Sequence, residues 1–142
     1  MSDAADLREL TERYARAVDR RRPGDVAALF SPEGVLRIEH PGRAPTELRG
    51  RAAIERALDR LDSYRVTTHV LAQQIVDELD ARAGRAAAET YCMAHHIRDG
   101  PPPYDHLMAV RYLDRFERGE GRWLFAERHL VVDWTADIPV NE

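Results

Sequence analysis

The stretch RAAAETYCMAHHIRDGPPPYDHLMAVRYLDRFE, residues 85–117, decides the fold. Two long segments of strand-like pattern, Arg85–Arg98 and Tyr104–Glu117, flank a turn rich in proline and glycine. Segments of the same kind lie on either side, at Tyr64–Leu79 and Arg122–Trp134. The glycine-containing turns that join the outer segments to this stretch are typical of hairpins, so the sequence predicts a meander of long antiparallel strands.

Helical patterns precede the strands. Between Asp3 and Arg22, apolar residues recur at steps of three and four, which predicts a helix with one buried stripe that ends at the following Pro-Gly pair. Asp25 is predicted to cap a short helix over Val26–Phe30, and a third helix is predicted over Gly50–Leu61, with an extended segment and a loop between them. The expected fold class is α+β, with three helices packed on one face of a curved, mainly antiparallel sheet.

Composition narrows the class of protein further. A chain of 142 residues fits one domain, and its net charge of -4 argues against a nucleic-acid-binding surface. All 21 basic residues are arginine, so a lysine Schiff base is excluded. The single cysteine rules out an internal disulfide. The sequence shows no signal-peptide pattern and no apolar stretch of the roughly 20 residues that span a bilayer, so a cytoplasmic protein without membrane contact is expected.

Asp19 and His69 are the first candidates for chemistry. A carboxylate that orients an imidazole and stabilises its charged form makes a general base that works near neutral pH. The helical periodicity places Asp19 only at the flank of the buried stripe, where a solvated charge among neighbouring arginines is the alternative. His69 has an alternative too, as a half-buried strand histidine hydrogen-bonded to a backbone carbonyl.

Several local motifs resemble one family across nearly the whole chain. They comprise YARAVD at 14–19, DVAALF at 25–30, GRAAI at 50–54, THVL at 68–71, AETYCMAHH at 88–96 and GRWLFAER at 121–128. Together with the order of helices and strands, they resemble the SnoaL-like branch of the nuclear transport factor 2-like superfamily, which includes scytalone dehydratase and hexachlorocyclohexane dehydrochlorinase. The resemblance implies a cone-shaped roll in which helices and sheet enclose a pocket, and it also allows non-catalytic modules.

The resemblance also implies roles for single residues. Asp19 would hold His69, which would remove a proton while a neighbouring leaving group departs. Tyr14 would aim its hydroxyl at a substrate oxygen, and the alternative is a core aromatic residue on the buried stripe. Arg128 would stabilise a carbonyl, enolate or leaving anion, and the alternative is an arginine paired with a carboxylate at the edge of a strand. His96 would be the acid that protonates a leaving hydroxyl.

His95 and His96 are adjacent, so strand alternation sends them to opposite faces. Alignment with the family places His96 inward together with Cys92, and His95 is the fallback because one bulge would exchange the two. Alternation puts Tyr112 and Asp114 on a shared face, where they are predicted to line the pocket. A zinc site built from His69, His95 and His96 is disfavoured, since adjacent strand histidines make poor joint ligands.

These observations predict a lyase of the dehydratase type or an isomerase that needs no metal or other cofactor. Its substrate would be a mid-sized, largely apolar small molecule, such as a polyketide, steroid-like or aromatic intermediate. A cyclase or epimerase with the same pair, or a non-catalytic ligand-binding or assembly module, remains an alternative. The resemblance implies a homodimer or homotrimer. Apolar strand residues predict self-association through an exposed sheet surface: Leu71, Ile75, Leu107, Val110, Leu130 and Val131.

Overall fold

The computed structural model describes residues 2–141. Along the chain its elements are α1 (Asp3–Asp19), α2 (Pro23–Ala27), β1 (Phe30–Glu39), β2 (Thr46–Arg49), α3 (Arg51–Ala57), a 3₁₀ helix (Leu58–Ser63), β3 (Val66–Asp80), β4 (Arg85–Arg98), β5 (Tyr104–Gly119) and β6 (Arg122–Pro139). Among these residues, no helix has the length and apolar character needed to cross a membrane.

Helix α1 has both an N-cap residue and a stripe of buried apolar side chains. The side chain of Ser2 accepts a hydrogen bond from the backbone N–H of Ala5 at 3.2 Å, which satisfies one of the free donors of the first turn. Leu7, Tyr14 and Val18 are buried on the stripe that faces the sheet. This packing carries the last residue of α1, Asp19, to the sheet.

The six strands form one sheet in the order β2-β1-β6-β5-β4-β3. All neighbours are antiparallel except β1 and β6, which run parallel. The helices and one face of the sheet share a single hydrophobic core. The predicted α+β fold, with helices on one face of a mainly antiparallel sheet, is therefore confirmed.

The second helix differs from its prediction. It begins at Pro23, whose fixed φ suits the first helical position, and Asp25 lies in its first turn instead of capping it. Phe30 was expected to end this helix, but it begins β1 opposite Phe125 and is completely buried there. Contact with Phe125 across the sheet overrides the local helical pattern.

Strand β2 was not predicted, because its four residues show no alternation of apolar and polar side chains. The turn into α3 fixes its position beside β1, since the N–H of Gly50 donates to the carbonyl of Gly34 at 2.8 Å. The third helix is also shorter than expected, and a 3₁₀ helix follows it. Strand β6 continues past Trp134 to Pro139.

The strand register shows which face of the sheet each side chain lies on. Thr67 lies opposite His96, and His69 lies opposite Ala94, so these four residues share the side that faces the helices. Three residues that were predicted to lie on an exposed sheet surface face the helices as well and contribute to the core: Leu71, Val110 and Leu130.

Candidate active site

Asp19 and His69 meet at the junction of α1 and β3. The Oδ1 atom of Asp19 lies 2.7 Å from Nδ1 of His69, and its Oδ2 atom accepts the backbone N–H of the same residue at 2.9 Å. The carboxylate therefore binds both the ring and the main chain of His69. We refer to this arrangement as the Asp19–His69 pair.

The hydrogen bonds of the pair fix where its protons lie. Burial alone would raise the pKa of Asp19, but hydrogen bonds from the ring and backbone of His69 outweigh it and lower that pKa below its ordinary value. An ionised carboxylate can only accept, so Nδ1 of His69 is the donor. In the neutral imidazole the lone pair then lies on Nε2, which is the atom able to take a proton from a substrate.

A second layer of side chains supports the carboxylate. Thr67 donates its hydroxyl to Oδ1 of Asp19 at 3.0 Å, and Nη1 of Arg21 donates to that hydroxyl oxygen at 2.8 Å. Sequence reasoning identified neither residue. The threonine preceding the THVL motif by one position was a possible signal, because alternation puts residues 67 and 69 on one face.

His96 lies beside the pair on the same side of the sheet. Its ring centroid is 5.8 Å from that of His69, and its Nδ1 lies 3.0 Å from the backbone carbonyl of His106. A carbonyl only accepts, so Nδ1 carries the proton and Nε2 carries a lone pair. Burial lowers the pKa of His96 to about 4. The predicted acid role does not fit this environment, because the ring is neutral at neutral pH and its Nδ1–H donates to the carbonyl of His106.

Tyr64 is a further residue that sequence reasoning missed. Its ring lies 4.8 Å from the ring of His96, and its hydroxyl accepts a hydrogen bond from Nη2 of Arg98 at 3.2 Å. Since arginine can only donate, the hydroxyl proton of Tyr64 remains available for another acceptor. Its only sequence signal was its place as an aromatic residue at the start of the predicted strand segment Tyr64–Leu79, two residues before β3 begins.

Four of the other predicted residues form a separate buried cluster. Arg128 is completely buried and donates through Nε and Nη2 to the two carboxylate oxygens of Asp114, at 2.8 and 3.0 Å. Its guanidinium carbon lies 3.7 Å from the ring centre of Tyr112 and 4.3 Å from that of Tyr14. Tyr14 thus lies in the core, where burial raises its pKa, and Arg128 is bound inside the protein. We refer to these residues as the Arg128 cluster.

Cys92 lies between the pair and the Arg128 cluster. It is buried on the helix-facing side of β4, and burial raises the pKa of its thiol to about 11. The positive charge of Arg128 lowers that pKa, and the negative charge of Asp19 raises it. Cys92 is thus a neutral, apolar spacer between two charged groups.

His95 points to the opposite side of the sheet. Its Nδ1 lies 2.6 Å from Oδ2 of Asp105, whose Oδ1 accepts the backbone N–H of His96 at 2.9 Å. The fallback assignment required His95 to lie on the same side of the sheet as His69, and it does not. Among residues 2–141, no three side chains of histidine, cysteine, aspartate or glutamate are arranged to hold a metal ion.

A groove between α1 and β3 reaches the Asp19–His69 pair. Both members of the pair line it, together with charged and apolar side chains. The other lining residues are Arg8, Glu12, Ala15, Arg16, Arg20, Val70 and Leu71. A small molecule could therefore approach the pair from the surface.

Residues 1–129 match the protein family described as the SnoaL-like domain. No functionally curated protein matches the sequence significantly.

Solved structures show the same fold. A proposed scytalone dehydratase from Novosphingobium aromaticivorans superposes with a TM-score of 0.80 at 22% identity, covering 97% of this chain and 89% of that one. A type 2 hexachlorocyclohexane dehydrochlorinase superposes with a TM-score of 0.76 at 15% identity, covering 95% of this chain and 88% of that one. ActVI-ORFA from Streptomyces coelicolor superposes with a TM-score of 0.72 at 22% identity, covering 93% of this chain and 98% of that one.

Proposed function

Because the chain belongs to the SnoaL-like domain family, we propose that it is an acid–base lyase of the dehydratase type. Its general base is Nε2 of His69, which removes a proton from a carbon next to a carbonyl or leaving group. The observation that carries this proposal is the 2.7 Å contact between Asp19 and His69. Asp19 orients the imidazole and stabilises the imidazolium that forms when the proton is taken.

A second group must handle the oxygen of the substrate. Tyr64 is our candidate, since its hydroxyl proton is free and its ring lies against His96. The lone pair on Nε2 of His96 would accept a hydrogen bond from a substrate hydroxyl and so orient it. Arg128 does not contact the substrate in this scheme, because it is completely buried and its guanidinium is bound to Asp114 inside the core.

The groove suits a mid-sized substrate with an apolar body, such as a polyketide, steroid-like or aromatic intermediate. Ala15, Val70 and Leu71 offer apolar contacts, while Arg16 and Arg20 place positive charge beside the pair. Such charge favours a substrate whose carbonyl becomes an enolate when the proton is removed.

An isomerase or cyclase with the same base is the second candidate. The observation that favours it is the neutral state of His96, since a reaction that only relocates protons needs no acid to release a hydroxyl. Product mass separates the two candidates, because dehydration removes water and isomerisation does not.

The test is proton exchange in heavy water with a panel of cyclic ketones and β-hydroxy ketones, followed by mass spectrometry. Asp19→Asn should lower the rate by about 1,000-fold or more, since an amide would favour the tautomer with its proton on Nε2. His69→Ala should lower it at least as far.

Glu39→Gln is the matched control. Glu39 also binds a histidine, His129, at 3.0 Å, but neither residue belongs to the site, so the rate should remain at the wild-type value. Wild-type rates in Asp19→Asn would reject the proposal. A ligand that binds equally well to this variant, without any turnover, would instead indicate a non-catalytic binding module.

A further inference from the structure

Arg21 adopts a backbone conformation that favours glycine. Its φ is +55°, in the left-handed region, at the first position beyond the C-cap of α1. The N–H groups of Arg21 and Arg22 close the helix by donating to the carbonyls of Val18 and Ala17, at 3.1 and 3.0 Å. Glycine is the usual residue at this position because a Cβ atom is strained there.

The guanidinium of Arg21 joins the end of α1 to the start of β3. Its Nη1 donates to the hydroxyl oxygen of Thr67 at 2.8 Å, and its Nη2 donates to the carbonyl of Tyr64 at 3.3 Å. A guanidinium has no acceptor, so the hydroxyl of Thr67 must accept from Arg21. The single proton of that hydroxyl is then left for its other partner, Asp19.

The orientation of this hydroxyl determines how Asp19 is held. Oδ1 of Asp19 receives two donors, the hydroxyl of Thr67 and Nδ1–H of His69, while Oδ2 receives the backbone N–H. A carboxylate with these three donors stays ionised and fixed in place. It then keeps the proton of the imidazole on Nδ1 and the lone pair on Nε2.

We propose that Arg21 is a positioning residue that acts through Thr67 on the Asp19–His69 pair. It holds the hydroxyl of Thr67 against Asp19, where that hydroxyl helps to keep the carboxylate ionised and in place, and it thereby maintains the tautomer of His69 that can act as a base. This role rests on the proposed function, because only a base needs that tautomer.

The test is ¹⁵N NMR of histidine-labelled protein, which reports the tautomer of neutral His69 without any substrate. In the wild type, the proton should lie on Nδ1. In Arg21→Gly and in Thr67→Val, the share of His69 protonated on Nε2 should rise. Thr67→Ser keeps the hydroxyl and should retain the wild-type tautomer. In the double variant, Arg21→Gly with Thr67→Val, the share of His69 protonated on Nε2 should equal that in Thr67→Val alone, because Arg21 acts through the hydroxyl that Thr67→Val removes.

Glu120→Gly is the matched control. Glu120 also has a φ of +55°, but it lies in the β5–β6 hairpin and pairs with Arg51. Glycine should relieve the same strain there without changing the tautomer of His69. A wild-type tautomer in Arg21→Gly, even with a lowered melting temperature, would show a merely structural role and overturn the proposal. Additive shifts in the double variant, or a shift in Glu120→Gly, would overturn it as well.

Failure of this proposal and failure of the proposed function give different results. An inactive protein whose tautomer depends on Arg21 would reject the enzyme and keep the positioning role. An active enzyme whose tautomer ignores Arg21 would reject only the positioning role.

Discussion

Two histidines in this protein have nearly identical carboxylate partners and yet lie in different surroundings. Asp19 accepts the ring Nδ1–H and the backbone N–H of His69, and Asp105 accepts the ring Nδ1–H of His95 and the backbone N–H of His96. The distances of the two ring contacts differ by 0.1 Å (2.7 and 2.6 Å). A short contact between aspartate and histidine therefore does not identify a catalytic base, and the groove and the supporting side chains must distinguish the two.

This distinction limits what the sequence could predict at the scale of residues. The motifs around Asp19 and His69 indicated that these two residues lie together, and their 2.7 Å contact agrees with that prediction. Thr67 and Arg21 have no such motif, since their roles depend on hydroxyl and guanidinium geometry across the junction of α1 and β3. The sequence also could not predict the neutral state of His96, because that state follows from burial and from a hydrogen bond to the backbone carbonyl of His106, ten residues further along the chain.

His96 should make the stability of the protein depend on pH. Its pKa is about 4 in the folded protein and 6.5 as the ordinary value, so between these pH values the unfolded chain binds a proton that the folded chain does not. Stability should therefore fall as pH falls from about 6.5 to about 4, by up to about 3 kcal/mol from this residue alone. Urea unfolding at several pH values measures the free energy of unfolding across this window.

His96→Gln is the variant that isolates this effect. Glutamine can still donate to the carbonyl of His106 but does not titrate, so the loss of stability over this pH window should be smaller by the same amount. Direct titration of the His96 ring by NMR gives an independent value. A midpoint near 6.5 in the folded protein would contradict the prediction.

At the scale of elements, the long strands were the predictable part. Alternation over fourteen residues identifies β4 with its observed bounds, Arg85–Arg98. The short elements were less predictable, because α2 and β2 have five and four residues and depend on their neighbours. Phe30 shows the reason: its contact with Phe125 on β6 decides its conformation, and no local pattern contains that contact.

Strands β5 and β6 are joined by two arginine–aspartate pairs of the same geometry. In each pair, Nε and Nη2 of the arginine bind the two carboxylate oxygens of the aspartate. Arg128 and Asp114 are buried, whereas Arg111 and Asp133 lie at the surface. Besides burial, the pairs differ in that Arg111 also donates to Glu89 at 3.2 Å.

Asp114→Asn should destabilise the protein by about 3–5 kcal/mol, since it leaves the buried charge of Arg128 uncompensated. Asp133→Asn, at the exposed pair, should cost no more than about 1 kcal/mol. Urea unfolding measures both values. The double replacement Asp114→Leu with Arg128→Met should recover most of the loss, because it removes both charges from the core. Equal costs for the two single variants would contradict this account of the Arg128 cluster.

At the scale of the whole molecule, the outward side of the sheet is the unusual feature. The strand register places exposed, large apolar side chains there, on the side away from the helices: Val66, Val70, Ile75, Tyr91, Trp134 and Ile138. Val70 and Trp134 belong to one continuous row of apolar residues across four strands, with Met93 and Ala109 between them, and a contiguous apolar patch marks an association surface. We propose that a second copy of the chain covers this face. Val70 also lines the groove at the Asp19–His69 pair, so the partner would border the site.

Ile75→Glu should weaken or abolish this association, because it places a charge within the apolar face. The measurement is light scattering after size-exclusion chromatography, in which the wild type should elute as a dimer or trimer. Leu79→Glu provides the matched control on the same strand. Leu79 is 45% exposed and Ile75 is 55% exposed, but Leu79 lies opposite the buried Ala86, on the helix-facing side.

A charge at position 79 should therefore leave the oligomer intact, although it removes an apolar surface of similar size. If both variants dissociate equally, a general loss of apolar surface is responsible and the outward face has no special role. If the wild type is a monomer at tens of micromolar, the proposed interface is wrong. Dissociation by Ile75→Glu alone, with unchanged circular dichroism, would place the partner on the outward face and hence next to Val70 at the rim of the groove.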